Sequence, residues 1–125
     1  MGLFPAIVLL ARGVLGMLQG QGPQLGATVD MDRVSVGEEL TYTLRAVSHS
    51  PAPMRLSVAP ITGLDLIGRS ESTELALGDA STRTMILELR LRAVRPGRWQ
   101  VGPALAVQGS DTVEAQAIMV NVASD

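Results

Sequence analysis

The sequence predicts an all-β protein built as a two-sheet β-sandwich of about seven or eight short strands, preceded by an apolar N-terminal segment. From Ala27 onward apolar and polar residues alternate with a period of two, which is the spacing of a strand that buries one face. Turn residues, chiefly Gly, Pro, Asp and Ser, interrupt this alternation at nearly regular intervals. No helical pattern follows the N-terminal segment, so we expect strands throughout the rest of the chain.

Composition indicates one domain and excludes several functions. The chain has 125 residues, enough for one buried core, and its 10 basic and 12 acidic residues are spread without a run of either sign. This distribution gives no sign of a nucleic-acid-binding surface. The chain has no cysteine, which excludes disulfides, a thiolate nucleophile and cysteine-ligated metal sites. It also lacks glycine-rich phosphate-binding motifs, so we expect neither a cofactor nor a nucleic-acid partner.

The N-terminal segment resembles a secretory signal peptide. Residues 3–18 are almost wholly apolar and precede a polar, glycine-rich run at 19–24. Arg12 interrupts the apolar stretch, which is also shorter than the roughly 20 residues of a membrane-spanning helix. We therefore expect a cleaved signal within residues 1–26, a domain at 27–125 and an extracytoplasmic location, periplasmic or envelope-associated. The alternatives are an uncleaved anchor, which would attach the chain to a membrane, and a buried helix of a cytosolic fold.

The clearest strand is predicted at residues 40–47. Its apolar side chains Leu40, Tyr42 and Leu44 share one face, whereas threonines and an arginine share the other, as a half-buried strand requires. Residues 54–58 alternate in the same way but are bracketed by prolines, which suit strand ends and edges rather than strand centres. We expect that second strand to be short or to lie at an edge.

The next two predicted strands occupy residues 64–72 and 82–94. The first becomes polar in its second half, which indicates that it leaves the core, and Gly68 indicates a β-bulge within it. In the second, Leu87 and Leu89 face one way while charged residues face the other. A helix over the same residues would scatter these charges around its surface, so the alternation favours a strand.

A turn that begins at Arg95 introduces a strand in which Trp99 and Val101 share a face. The Trp99 ring is expected in the core between the sheets; the alternative is an exposed ring that stacks on a sugar or anchors a peptide. Two further strands are predicted at residues 104–107 and 118–122. The residues that we expect in the core or at structural turns are Gly37, Leu40, Tyr42, Leu44, Leu87, Leu89, Gly97, Trp99 and Val101.

Three linked segments carry a resemblance to a known family. The sequences of residues 32–38, 62–72 and 95–104 occur in the order and character of the amino-terminal repeat of BatD-type "oxygen tolerance" proteins, and the similarity covers most of residues 27–122. The resemblance implies an immunoglobulin-like fold and a cell-envelope protein associated with stress tolerance. Members of the family have a signal peptide, several β-sandwich repeats and a carboxy-terminal membrane helix, and they are encoded beside MoxR-type ATPases and von Willebrand factor A domain proteins. We expect a minimal relative, a truncated reading frame or an excised module, and the resemblance supplies no catalytic residue.

Candidates for chemistry are few. His49 is the single histidine and lies in a loop-like segment with Ser48 and Ser50, so a hydrolytic triad would need a carboxylate brought to them by the fold. A solvated loop histidine is the alternative. Two acidic pairs offer oxygen ligands to calcium, Asp30 with Asp32 or Glu38 with Glu39. Calcium takes roughly six to eight oxygens, however, and no segment supplies a dense acidic set, so solvated acids are the alternative.

The sequence therefore predicts a non-enzymatic, extracytoplasmic β-sandwich module that makes protein–protein contacts in the bacterial cell envelope. Its expected partners are envelope proteins, bound through loops or through an edge strand. The candidate contact residues lie in the proline-flanked strand and in the polar half of the following strand: Arg55, Ser57, Ser70, Glu71, Ser72 and Glu74. The alternatives are a small envelope hydrolase or ligand-binding protein that uses His49, and a passive structural spacer.

Overall fold

Ten β-strands follow one another along residues 22–78 and 81–124, the part of the chain that this computed structural model describes. They are β1 (Gln24–Val29), β2 (Arg33–Ser35), β3 (Glu39–Ser48), β4 (Arg55–Val58), β5 (Leu64–Ala76), β6 (Thr82–Ala93), β7 (Gly97–Val101), β8 (Ala104–Gln108), β9 (Asp111–Ala115) and β10 (Ile118–Ala123). The all-β class that the alternation predicts is confirmed.

One layer of the sandwich is a four-stranded antiparallel sheet with the order β1-β3-β6-β5. Its two inner strands correspond to long alternating runs of the sequence. β3 buries Leu40, Tyr42 and Leu44, and β6 buries Leu87 and Leu89, so the core positions expected in both strands are buried.

The second layer is one long hairpin with one additional strand paired alongside each of its two arms. β7 and β8 form one arm, β9 and β10 form the other, and the same pairing register continues from Val101 opposite Ile118 to Ala104 opposite Ala115. β2 joins β10 in parallel, and β4 joins β8 in antiparallel orientation. A break in the middle of the hairpin divides its hydrogen bonding into two three-stranded sheets, β2-β10-β7 and β4-β8-β9. The predicted sandwich is therefore present, with its second layer interrupted.

The break lies at Gly102-Pro103, whose peptide bond is cis. Pro103 has no backbone N–H to donate, and Gly102 has a φ of 103°, which a side chain disfavours. A Cβ on Gly102 would lie 3.2 Å from the Cα of Ala117 in the opposite arm. The Gly-Pro sequence that ends the predicted strand at Val101 thus also interrupts the hydrogen bonding of the hairpin.

A single hydrophobic core joins the two layers. Leu25 of β1, Leu56 of β4, Ala106 of β8 and Val120 of β10 all belong to it, together with the inner faces of β3 and β6. On one side of the sandwich β1 packs against β8, β9 and β10. This contact closes that side, whereas β4 and β5 flank the other.

The structure has more strands than the sequence predicted. β2 and β9 were missed because three and five residues are too few to show a clear alternation. β1 begins at Gln24, before the predicted domain boundary at 26–27, and Leu25 is 2% exposed within the core. The bulge predicted at Gly68 is confirmed, since the register of β5 against β6 shifts between Leu66 and Gly68.

The predicted signal segment lies mostly outside the described residues, because residues 1–21 are not among them. Residues 24–26, its last three, are part of β1. Within residues 22–78 and 81–124, no helix is long and apolar enough to cross a membrane.

Candidate functional site

β4 and β5 are edge strands, one in each layer of the sandwich. In the described part of the chain β4 pairs only with β8, and β5 pairs only with β6, so each has a second edge without a strand partner. The sequence places its candidate contact residues on these two strands. An edge strand presents unpaired backbone N–H and C=O groups and can accept an added strand.

An open groove lies between the two strands, and we call it the contact groove. Its volume is about 560 Å³. It is lined by Pro53, Met54, Arg55, Leu56, Arg69, Glu71, Val107 and Gly109. The groove therefore brings together two of the candidate contact residues, Arg55 and Glu71, from segments far apart in the sequence.

The bulge in β5 determines which of its side chains face the groove. Beyond the bulge, Arg69 lies opposite Leu89 and Glu71 lies opposite Leu87. Residues directly opposite each other in antiparallel strands point to the same face, and both leucines point into the core. Arg69 and Glu71 thus point inward, over the groove.

The polar residues of β5 that were predicted to form one contact cluster lie on two different faces of the sheet. Glu71 lines the groove, but its neighbours point to the outer face of the four-stranded sheet and do not line it: Ser70, Ser72 and Glu74. Ser57 is exposed on the outer face of β4 and also lies outside the groove lining. Arg69, which was not among the predicted contact residues, lines the groove beside Glu71.

The charges of the groove are unbalanced. The Arg69 Nη2 atom lies 3.3 Å from the Glu71 Oε1 atom, and the two side chains are 52% and 38% exposed, so solvent screens this ion pair. Arg55 forms no ion pair with any described residue. Two guanidinium groups against one carboxylate leave the groove with an excess positive charge, which suits a carboxylate on a partner.

The β3–β4 loop forms one wall of the groove, and a buried hydrogen-bond network holds this loop in place. The Gln108 side chain, 5% exposed, accepts a hydrogen bond from the Ser48 hydroxyl at 2.6 Å and donates one to the Ala52 carbonyl at 2.8 Å. The Arg83 guanidinium donates to the Pro51 carbonyl at 2.7 Å from the other side. These bonds fix the loop immediately before Met54 and Arg55. None of these bonds was predicted from the sequence.

The register shows which backbone groups of β4 are unpaired. The Ala59 N–H donates to the Pro103 carbonyl at 3.0 Å, just beyond the ladder with β8. Backbone groups of alternate residues in a strand point to the same side, so those of Ser57 and Arg55 also point toward β8. The free edge of β4 is therefore provided by the backbones of Leu56 and Val58.

His49 is exposed and is not hydrogen-bonded to either neighbouring serine among the described residues. The Ser48 hydroxyl is buried, donates to Gln108 and accepts the Ser50 N–H at 3.1 Å. The hydroxyl nearest to His49 in sequence thus serves the loop network.

The acidic pairs considered as calcium ligands have structural contacts. The Asp30 carboxylate accepts the Thr41 N–H at 2.7 Å, and the Glu38 carboxylate accepts the Ser35 N–H at 2.8 Å. Glu39 accepts a hydrogen bond from Arg90 at 2.8 Å, which lowers the pKa of the Glu39 carboxyl group below its usual value. Among the described residues no group of three or more His, Asp and Glu side chains is placed to hold a metal ion.

Trp99 is half-buried and packs against the edge of the core. Its indole Nε1–H donates to the Arg95 carbonyl at 2.9 Å, and the Arg95 guanidinium lies 5.5 Å from the ring centroid. A Cβ on Gly63 would overlap the ring. The ring therefore joins the β4–β5 loop to the β6–β7 turn. Its partial burial is intermediate between the core position expected from the sequence and the exposed alternative.

Together, the fold and the groove define a class of protein: a β-sandwich module with an open groove between two edge strands. A family model described as the BatD DUF11-like domain matches residues 27–122. The chain belongs to this family, and the resemblance noted in the sequence is confirmed.

A solved structure supports the fold. The chain is similar to the cupredoxin domain of amoB from Nitrosocaldus yellowstonii, with a TM-score of 0.50 and 14% sequence identity over 83% of this chain and 88% of that one. At this identity the similarity concerns the β-sandwich fold alone. No curated protein matches the sequence.

Proposed function

We propose that this chain is a non-enzymatic, extracytoplasmic BatD-type module that binds another cell-envelope protein through the contact groove. The observation that carries the proposal is the placement of two edge strands, β4 and β5, on either side of one open groove. Each strand offers backbone groups that have no strand partner among the described residues. An extended segment of a partner can pair with such an edge, while side chains of the groove select its sequence.

The charges indicate what the partner carries. Arg55 is exposed and without an ion pair among the described residues, and it lies in a groove that already holds Arg69. A guanidinium group binds a carboxylate through two parallel hydrogen bonds. The partner segment is therefore expected to present an aspartate or glutamate to Arg55.

Two observations support an extracytoplasmic location. The chain belongs to the BatD family, whose members resemble cell-envelope proteins, and its N-terminal sequence has the character of a signal peptide. Because Leu25 is buried in the core, signal cleavage is expected before Gln24. Intact-mass analysis of the protein recovered from its native envelope tests this expectation; a full-length chain recovered from the cytosol would contradict it.

The binding experiment compares charge reversals at two exposed arginines. Arg55→Glu changes the groove, whereas Arg45→Glu makes the same change on β3, on the outer face of the other layer. The tagged chain and both variants are captured from the native envelope after gentle cross-linking. Reduced recovery of a specific envelope protein with Arg55→Glu, but not with Arg45→Glu, is expected.

Other outcomes favour the alternatives. Equal recovery with both variants would contradict binding through the groove, and a complete lack of specific partners would favour a passive spacer. A hydrolytic activity of the purified protein that is abolished by His49→Ala would contradict the non-enzymatic role.

A further inference from the structure

We infer that β5 pairs with β5 of a second copy of this chain, in antiparallel orientation and in a register centred on Ser70. The pairing joins the two four-stranded sheets into one continuous sheet. This inference deepens the proposed function, on which it rests for the role of β5 as a contact strand, by naming one partner.

β5 has the longest free edge in the described part of the chain. It contains 13 residues, and every residue from Arg69 to Ala76 is exposed. The other edge strands of the described residues are shorter: β1 has six residues, β7 and β9 have five each, β4 has four and β2 has three. β1 also packs against β9. Among the described strands, β5 therefore offers a second copy the longest row of unpaired backbone groups.

The hydrogen bonds of β6 show which of its backbone groups point toward β5. The Ala93 N–H donates to the Glu38 carbonyl at 2.9 Å, on the β3 side, and the Val94 N–H donates to the Gly63 carbonyl at 3.2 Å, on the β5 side. Because the direction alternates along a strand, Glu88 also directs its backbone groups toward β5.

The unpaired backbone groups of β5 follow from this direction. Ser70 lies opposite Glu88, so the Ser70 backbone is engaged with β6. Its neighbours Arg69 and Glu71, and then Thr73, direct their N–H and C=O groups to the free edge. The residues whose side chains point inward over the groove are thus also the residues whose backbones are available for pairing.

A register centred on Ser70 pairs these residues favourably. It places Arg69 of each copy opposite Glu71 of the other, so that each such pair exchanges two backbone hydrogen bonds. Opposite charges in directly opposed positions stabilise antiparallel strands. In the next register, centred on Glu71, the Glu71 carboxylates of the two copies would lie directly opposite each other, and like charges in that position are destabilising. The charge pattern therefore selects one register.

The same two charges have a different explanation, in which they protect the edge from pairing. Inward-pointing charges on edge strands are a common way to prevent association. The two explanations predict opposite effects of charge reversal. If the Arg69–Glu71 pair drives dimer association, reversing one charge weakens the association. If the pair prevents association, reversing one charge strengthens the association or leaves the chain monomeric.

Sedimentation equilibrium of the purified full chain, measured over a range of concentrations and at low and high salt, tests the inference. The wild type is expected to form a dimer that weakens at high salt. Arg69→Glu and Glu71→Arg are each expected to raise the dimer dissociation constant by about tenfold or more. The double exchange, Arg69→Glu with Glu71→Arg, restores the opposed charges and is expected to recover dimerisation. Arg45→Glu is the control that leaves it unchanged.

Three results would overturn the inference: a wild type that is monomeric at every concentration, single variants that associate more strongly, or a double exchange that fails to recover the dimer. The proposed function is tested separately, because Arg55→Glu is measured by capture of an envelope protein. A monomeric chain that still captures its partner through Arg55 would refute pairing through β5 and leave the proposed function intact.

Discussion

Tyr42 provides a sharp test of how the two layers pack, because it is the single tyrosine of the chain and is fully buried. Its hydroxyl group has no hydrogen-bond partner among the described residues, and a Cβ placed on Gly102 would lie 3.6 Å from the hydroxyl oxygen. Burial raises the pKa of the Tyr42 hydroxyl from 10.0 to about 12, since the charged phenolate is poorly solvated in the core. The perturbation that isolates this group is Tyr42→Phe.

The shift in pKa corresponds to a loss of stability at alkaline pH. Between pH 10 and 12 the native state keeps the phenolic proton while the unfolded state releases it, so the free energy of unfolding falls as pH rises. Two pKa units correspond to about 2.7 kcal/mol. The chain contains no lysine and no cysteine, and arginines stay charged throughout this range. Tyr42 is therefore the one side chain expected to titrate there.

Urea unfolding followed by the fluorescence of Trp99, the single tryptophan, measures this effect at several pH values. In the wild type the free energy of unfolding is expected to be nearly constant up to about pH 9 and then to fall, most steeply near pH 11 at up to about 1.4 kcal/mol per pH unit. Tyr42→Phe is expected to remove this slope. At neutral pH the variant is expected to be at least as stable as the wild type, because an unpartnered buried hydroxyl costs roughly 1–3 kcal/mol.

Two results would refute this reasoning. A wild-type curve that stays flat between pH 10 and 12 would show that the phenol is not desolvated. A loss of more than about 1 kcal/mol in Tyr42→Phe at neutral pH would show that the hydroxyl forms a stabilising hydrogen bond. Absorbance of tyrosinate in the native protein is an independent check, since it reports the single phenol directly.

Three further substitutions test local features of the fold. Gly63→Ala would push a methyl group into the Trp99 ring, so we expect a lower unfolding free energy and a shifted Trp99 emission; unchanged emission would contradict the packing. Gly37→Ala meets no atom within 4 Å but has a φ of 96°, so a backbone cost of about 1 kcal/mol is expected in urea unfolding, and a neutral effect would show that the turn relaxes. Gln108→Ala removes the acceptor of the buried Ser48 hydroxyl proton and the donor to the Ala52 carbonyl, so a loss of about 1–3 kcal/mol is expected, together with faster amide exchange in the β3–β4 loop; unchanged exchange would contradict the role of Gln108 in holding that loop.

The sequence was sufficient to predict the strands whose alternation is long. β3 and β6 show the period of two over ten and twelve residues, and their inner faces are buried as that pattern requires. β2 was missed because it has three residues and pairs in parallel with β10 at the other end of the chain. A strand of that length is defined by its partner, and a partner distant in sequence leaves no local signal.

The β5 bulge shows how a correct local prediction can still leave the site undetermined. Glycine indicated where the bulge lies, but not which residue is added, and one added residue exchanges the two faces of the strand beyond it. The faces of Arg69 and Glu71 followed only once the pairing with β6 was known. The sequence therefore located the polar strand, whereas the structure selected its inward-pointing residues.

The wall of the contact groove had a signal in the sequence that was overlooked. Gln108 follows Ala104 and Ala106 at the buried, alternate positions of β8, and Ser48 follows Leu44 at the buried positions of β3. A polar side chain at a buried strand position needs a hydrogen-bond partner, and two such side chains at the ends of apolar strands can hydrogen-bond to each other. Their bond ties the end of β3 to the end of β8 at the point where the loop to β4 begins. The position of Arg55 in the groove thus depends on a polar pair that alternation alone would assign to the core.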